Sequence, residues 1–204
     1  MIDTENIKKF LPKYLSAESY KELIEGLRCF PENLDSRFYT DYLKEKIIYQ
    51  GDGIKGFPTI NFNTMEKKDC QAIVLSNTCD MDLANKRMFG SQIVYAPIIE
   101  LEKYKSILMR SNISHAKINS HIDSIRSQEL TQILYLPQYG SCMKESIVFL
   151  DRIFNVDNAF LNRDNLNKTR IFSLSDYGNY ILLLKISIHF TRMQDKVDRK
   201  STRI

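Results

Sequence analysis

The clearest pattern in the sequence is a continuous apolar run at residues 72–75, followed by a long polar stretch and a second apolar run at 93–97. A short apolar run without alternation predicts a strand that is buried on both faces. The intervening polar residues include many side chains able to bind or catalyse. We therefore expect a strand–loop–strand unit at 72–99, whose polar loop 77–90 is the best candidate for a functional site.

Helical periodicity dominates the N-terminal part of the chain. It predicts a helix at 3–11, a second helix that begins at Ser16, and a short third helix at 36–45. Two further helices are predicted in the middle of the chain, at 100–112 and 114–132. These internal helices interrupt a region that otherwise reads as short strands.

The C-terminal part predicts one long helix with a clear start. Ser175 is a good N-cap, and Asp176 places a negative charge in the first turn, where it favours the helix dipole. The apolar positions predicted to face the core are Tyr177, Ile181, Leu184 and Ile188. Further strands are predicted at 47–49, 57–62, 133–136, 146–150, 153–156 and 170–174, and a polar loop at 64–69.

This element order favours the α+β class. Short strands with mainly non-helical connections are typical of an antiparallel barrel or half-barrel. We expect an N-terminal helical extension at 1–45 and a barrel domain at 46–204, with the helical insertion at about 100–132. The long C-terminal helix completes the domain.

The composition is that of a globular protein outside the membrane. Hydrophobic residues make up 43% and charged residues 26% of the chain, and no stretch approaches the roughly 20 apolar residues of a spanning helix. The acidic N-terminus lacks the order of a signal peptide, so a cytoplasmic location is expected. Four scattered cysteines form no C-x-x-C pair, so neither a zinc ribbon nor a redox motif is supported. We expect no metal and no other cofactor.

Several motifs, in this order, resemble the MazF/PemK toxin family. Gly51-Asp52 lie near the first strand, residues 72–77 read AIVLSN, and residues 94–98 read VYAPI. The late segment begins with ESIV at 145–148 and continues through the positions Asp151, Ile153, Asp157 and Leu161. The resemblance covers about residues 47–192 without the helical insertion.

This resemblance implies a fold, an activity and partners. The family fold is an SH3-like antiparallel barrel, usually a homodimer, and the usual activity is metal-independent cleavage of single-stranded RNA. The expected system is a toxin–antitoxin or defence system, in which an antitoxin or another protein is the partner. Cleavage requires a proton acceptor at the 2′-hydroxyl and a cation at the scissile phosphate.

The sequence departs from the family at two catalytic positions. The usual Arg-Pro before the first buried strand reads Cys70-Gln71, and the usual Thr after the next strand reads Ile99. An aspartate that some members pair with an arginine is retained as Asp151, whereas the position of that arginine reads Phe149. A catalytically inactive barrel that binds a protein or a nucleic acid is therefore the alternative to an endoribonuclease.

The candidate site residues come from the polar loop and the late strand. Asp80 and Asp151 are the predicted proton acceptors, and Arg87 is the predicted cation. The predicted substrate-binding residues are Ser76, Asn77, Asp82, Lys86 and Lys55. The competing interpretation is that Ser76, Asn77 and Asp80 hydrogen-bond the backbone of a tight loop.

Two weaker hypotheses concern other reactive side chains. Cys79 beside Asp80 is a nucleophile only if a base or a cation lowers its pKa, and no histidine is near it in the sequence. His115 and His121 lie in the helical insertion, from which they could close over the strand loop as a lid.

Overall fold

Helices and short strands alternate along the chain. The computed structural model describes residues 17–44, 46–61 and 63–191, so the helix predicted at 3–11 lies outside the described residues. The helices are α1 (Ala17–Arg28), α2 (Leu34–Arg37), α3 (Thr78–Met81), α4 (Leu101–Met109), α5 (His115–Arg126), α6 (Leu166–Thr169) and α7 (Asp176–Thr191). The strands are β1 (Tyr39–Thr40), β2 (Gly53–Asn61), β3 (Glu66–Val74), β4 (Gln92–Glu100), β5 (Ile133–Leu136), β6 (Ser146–Phe149), β7 (Phe154–Asp157) and β8 (Arg170–Leu174).

Within the described ranges, all eight strands belong to one antiparallel sheet. Its order is β1-β8-β2-β3-β4-β6-β5, and β7 also pairs with β4. The predicted α+β class and the antiparallel pairing are thus confirmed. The predicted internal helices are also confirmed as α4 and α5, which connect β4 to β5.

The sheet is covered on both faces, as the apolar run at 72–75 predicts. Ala72 and Val74 pack into a core with Phe57 and Tyr95, while Ile73 between them packs into a second core with residues of α5, β5 and β6. Because successive side chains of a strand point to opposite faces, a strand with a core on each side needs no polar alternation. All three residues of this run in β3 are fully buried.

A proline ends the pairing of the two central strands. β3 and β4 pair at Ala72↔Pro97, Ile73↔Ala96 and Val74↔Tyr95. Pro97 has no N–H to donate, so the ladder stops there. Beyond Pro97, β4 pairs with β6 instead, through Ile98↔Val148 and the two following positions.

The helix predicted at 36–45 is wrong. α2 ends at Arg37, and Tyr39 and Thr40 form β1, paired with Leu174 and Ser173 of β8. The Tyr39 ring packs against the rings of Tyr139 and Phe172, with centroids 4.8 and 4.9 Å apart. These long-range contacts outweigh a local helical preference, which is weak for aromatic residues.

The strand predicted at 47–49 is also wrong, because side chains hold this segment as a turn. The buried Asp52 carboxylate accepts hydrogen bonds from the Tyr49 N–H at 2.9 Å and from the Ser173 hydroxyl at 2.6 Å. Arg170 forms an ion pair with the same carboxylate and donates to the Ile47 carbonyl. Gly51 has a φ of +87° beside Leu174, a conformation that favours glycine.

The loop predicted at 64–69 is wrong in most of its length. β3 begins at Glu66, and its charged first half pairs with β2 from Asn61↔Glu66 to Phe57↔Cys70. This hairpin arm exposes the side chains of residues 66–69, so no apolar pattern marks it as a strand. Pairing alone defines it.

The final helix begins as predicted, and two of its four predicted core residues, Tyr177 and Ile181, are buried. The Ser175 hydroxyl accepts a hydrogen bond from the Gly178 N–H at 3.1 Å, which confirms the N-cap. The buried side chains of α7 include Ile181, Leu182 and Lys185, whereas Leu184 and Ile188, predicted to be buried, remain 42% and 41% exposed. No helix in the described part of the chain is long and apolar enough to span a membrane.

Candidate functional site

The polar loop 77–90 is organised by hydrogen bonds to its own backbone. The Asn77 side chain caps α3 by accepting from the Cys79 N–H at 2.9 Å. Asp82 accepts from the Ala84 N–H at 2.9 Å, and the Asn85 amide donates to the Cys79 carbonyl at 2.9 Å. The structural interpretation is thus confirmed for Asn77. Of the other two residues that it named, Ser76 bonds the backbone of β4 and Asp80 pairs with the Arg87 side chain.

Two predicted catalytic residues meet within this loop. Arg87 forms an ion pair and a hydrogen bond with Asp80, although both side chains remain partly exposed. Lys86 is exposed beside them, while Lys55 is exposed on β2. The structure therefore brings Asp80 and Arg87 together on the loop surface.

The base of the loop is fixed to the rest of the sheet. Buried Asn158 donates to the Met81 carbonyl at 3.0 Å and to the Ser91 hydroxyl at 2.7 Å. Arg163 also donates to the Met81 carbonyl, at 3.1 Å, and to the Asn158 side chain, at 2.6 Å. Ser76 joins the two strands by donating to the Gln92 carbonyl and accepting from the Val94 N–H.

A separate groove of about 820 Å³ lies over β4 at Pro97–Ile99. Its walls are the β2–β3 hairpin arm on one side and the β6–β7 connection on the other. The groove forms where the pairing of β4 with β3 ends, at Pro97. On the other side of β4, the β6–β7 connection separates the pair Ile98↔Val148 from the pair Tyr95↔Phe154. No residue of loop 77–90 is among the residues that line it.

The groove combines apolar walls with charged side chains at its rim. Asp151 and Arg152 come from the β6–β7 connection, and Lys68 and Glu66 come from β3. Lys68 and Glu66 form an exposed ion pair at 3.0 Å. Asp151, a predicted proton acceptor, therefore lies beside a cation that the sequence analysis did not select.

Two positions with an expected catalytic role also line this groove. Cys70 and Ile99 occupy the positions at which the resemblance implies an arginine and a threonine. Burial, with a smaller contribution from the Asp69 carboxylate, raises the pKa of the Cys70 thiol to about 11. Cys70 is thus a neutral thiol near pH 7, and Ile99 offers no polar group.

The helical insertion approaches the groove through an aromatic contact. The Arg152 guanidinium lies 4.1 Å from the centroid of the Phe149 ring. Tyr104 of α4 packs against the same ring at 74°, with centroids 5.6 Å apart. The Tyr104 hydroxyl lies 3.0 Å from Nε2 of His121 in α5. His121 is therefore engaged with α4 rather than with loop 77–90.

Arg152 is the main residue that the sequence analysis missed. A usable signal was present, because Arg152 directly follows Asp151 in the motif that carries the resemblance. Its contact with Phe149, three residues earlier, is local, but its place beside β4 depends on the pairing of β4 with β6, which the local sequence does not reveal.

Comparison with known proteins identifies no related family or curated protein: the sequence matches no model of a known protein family, and a search of curated proteins gives no match.

Among the residues that the structure describes, no three His, Cys, Asp or Glu side chains are grouped as metal ligands would be.

Proposed function

We propose that this chain is an RNA-directed, toxin-like module that binds single-stranded RNA in the groove over β4. One observation carries the proposal. Cys70, Ile99 and Asp151 are far apart in the sequence, and they are the positions to which the resemblance assigns catalytic roles. All three line the same groove.

The proposal includes an SH3-like barrel of the MazF/PemK type. Three features support it: β8, β2, β3 and β4 are consecutive neighbours, β4 changes partner at Pro97, and β7 returns to pair with the first half of β4. The rings of Phe57 and Tyr95 stack with their centroids 4.1 Å apart, in the core on one face of these strands. The proposal also includes a homodimer and an antitoxin-like protein partner.

The chemistry proposed for an active enzyme is transesterification without a metal. The 2′-hydroxyl oxygen attacks the adjacent phosphorus, and its proton passes to a carboxylate. The bond from phosphorus to the 5′-oxygen breaks, and that oxygen takes a proton from water and leaves as a hydroxyl group, which gives a 2′,3′-cyclic phosphate. Asp151 is the proposed proton acceptor, because the other carboxylate of the groove, Glu66, is paired with Lys68. Arg152 or Lys68 is the proposed cation. Asp80 with Arg87 is the second pair to test, on the loop.

A catalytically inactive binding module is the second candidate, and the groove itself favours it. Neither the neutral thiol of Cys70 nor the hydrocarbon of Ile99 can replace an arginine and a threonine. The groove would then hold RNA or a protein segment without cleaving it. Lys68 and Arg152 would supply binding charge only.

Cleavage of mixed RNA in a chelator separates these candidates. For an active enzyme we expect fragments with cyclic phosphate ends, and a loss of about 100-fold or more in Asp151→Asn. Asp80→Asn is the matched comparison, because it removes the same charge from the loop. If Asp80→Asn alone abolishes cleavage, the site is the loop. If an excess of wild-type protein binds RNA without cleaving it, the binding module is the correct alternative.

A further inference from the structure

The β6–β7 connection carries an arginine whose environment differs from that of two other candidate cations, Lys68 in the groove and Arg87 in the loop 77–90. Lys68 is paired with Glu66, and Arg87 is paired with Asp80. Arg152 forms no ion pair and donates no side-chain hydrogen bond to any residue that the structure describes. Its fixed contact is the Phe149 ring, 4.1 Å from its central carbon.

A guanidinium that stacks on a ring keeps its hydrogen-bonding edge available. The ring contacts the face of the group, whereas the five N–H donors lie in the plane of the group. Stacking therefore restricts the orientation of Arg152 without using a donor. A planar cation held in this way is suited to bidentate contact with a phosphate.

The stack is built from two parts of the chain. Phe149 is almost fully buried at the end of β6, so its ring is a fixed support. Tyr104 from the helical insertion packs against that ring, and His121 holds the Tyr104 hydroxyl at 3.0 Å. The positive charge of Arg152 also opposes the rise in the pKa of Tyr104 that burial causes, so the two side chains are close enough to interact.

We infer that Arg152, stacked on Phe149 beside the helical insertion, binds a phosphodiester group of single-stranded RNA at the end of the groove. We call this position the Arg152 subsite. The inference rests on the proposed function for the identity of the ligand, and on the contacts of Arg152 for the site. The insertion acts as a positioning element, because Tyr104 and His121 support the ring on which Arg152 lies.

Binding of a fluorescent single-stranded RNA to the intact chain tests the subsite. In Arg152→Met we expect about a tenfold loss of affinity at 0.1 M salt, the usual effect of removing a charged hydrogen-bond donor. The slope of log affinity against log salt should fall by about 0.7, the value for one phosphate contact to a single strand. Arg152→Lys should lose part of the affinity and keep the slope, because lysine retains the charge without the planar stack.

Arg110→Met is the matched control, because Arg110 is exposed at the end of α4 and does not line the groove. It removes the same charge, so a general effect of net charge would change both variants equally. If wild-type protein binds RNA and the two methionine variants behave alike, the subsite is refuted while the proposed function stands.

Titration with inorganic phosphate distinguishes the remaining outcomes. We expect a saturable shift of the Arg152 Nε–H resonance in a ¹⁵N-labelled sample, and no such shift for Arg110. If phosphate shifts this resonance but RNA does not bind, the proposed function fails and the anion site stands. If neither ligand perturbs Arg152, both the subsite and its ligand are refuted.

Discussion

At the scale of single residues, the polar side chains of the loop 77–90 are explained by the hydrogen bonds that stabilise the loop rather than by chemical reactivity. Asn77 and Asp82 accept backbone hydrogen bonds, and Asn158 links the Met81 carbonyl to Ser91 from below. A buried amide that satisfies several groups at once is costly to remove, because its partners then lose their hydrogen bonds inside the protein. Cys79 is exposed, and among the described residues its hydrogen bonds join it to Asn77 and Asn85 and to no histidine.

Asn158→Ala should lower the free energy of unfolding by about 2 kcal/mol. The substitution leaves Arg163 and Ser91 without their contacts to the amide. Urea denaturation of the two proteins measures the difference. Asn155→Ala is the control, because Asn155 is an exposed residue of β7, and it should change the free energy by less than about 0.5 kcal/mol. Equal effects of the two substitutions would contradict this account of the loop.

At the scale of elements, a buried lysine joins the long C-terminal helix to the helical insertion. Lys185 of α7 donates to the carbonyls of Gln128 and Leu130, at 2.9 and 2.5 Å, just beyond the end of α5. Both residues follow the C-terminus of α5, where the helix dipole favours a cation. Burial nevertheless dominates, and it lowers the pKa of Lys185 to about 8.

This pKa predicts that Lys185 makes the protein more stable as the pH rises from about 8 towards 10.5. In that range the unfolded chain holds a proton that the folded chain has lost, so a higher pH favours folding. Relative to Lys185→Met, wild-type protein should gain about 2 kcal/mol of unfolding free energy between pH 7.5 and 9.5. Urea denaturation at both pH values measures it.

The same comparison with the exposed Lys168→Met corrects for the loss of a positive charge. Subtracting one variant from wild type also removes the titration of other groups, such as Cys70, whose pKa is raised to about 11. A constant difference between wild type and Lys185→Met across this range would mean that Lys185 does not titrate there.

The sequence predicts elements well where one local pattern determines them. The apolar run at 72–75 and the strands β5 and β8 lie where periodicity places them, because each is buried by neighbours on both faces or by a core. The charged half of β3 escaped prediction, because its only structural partner is β2 and its side chains face solvent. The strand at Tyr39 was not predicted for a similar reason, since its pairing partner, Leu174 of β8, is 135 residues away in the sequence.

At the scale of the whole molecule, the candidate site could be predicted only in part. Asp151 was identified from the order of motifs, and it lies in the groove with Cys70 and Ile99. The groove itself depends on where β4 exchanges β3 for β6 as its pairing partner. Phe149 lies only three residues before Arg152, but the packing of its ring against Tyr104 of the helical insertion is not evident from that spacing. Such a site arises from topology, so no single segment of the sequence encodes it.

The proposed homodimer is a prediction for the whole molecule. Light scattering at micromolar concentration should give a mass of twice the 23.9 kDa chain. Adding salt at the same concentration tests whether charge pairs hold the dimer, because salt weakens surface ion pairs and strengthens apolar contact. A mass equal to that of one chain under both conditions would contradict the dimer.

The early end of the β3–β4 ladder at Pro97 has a consequence for solubility. Residues 66–71 of β3 pair with β2 on one side only, which leaves a row of backbone donors and acceptors along the other side. A strand from another molecule could extend such a row into an aggregate. This edge carries four charged side chains, those of Glu66, Lys67, Lys68 and Asp69. A second copy that paired here would have to bury these charges or bring like charges together. The charged residues that kept this half of β3 from being predicted as a strand therefore also oppose its pairing with other molecules.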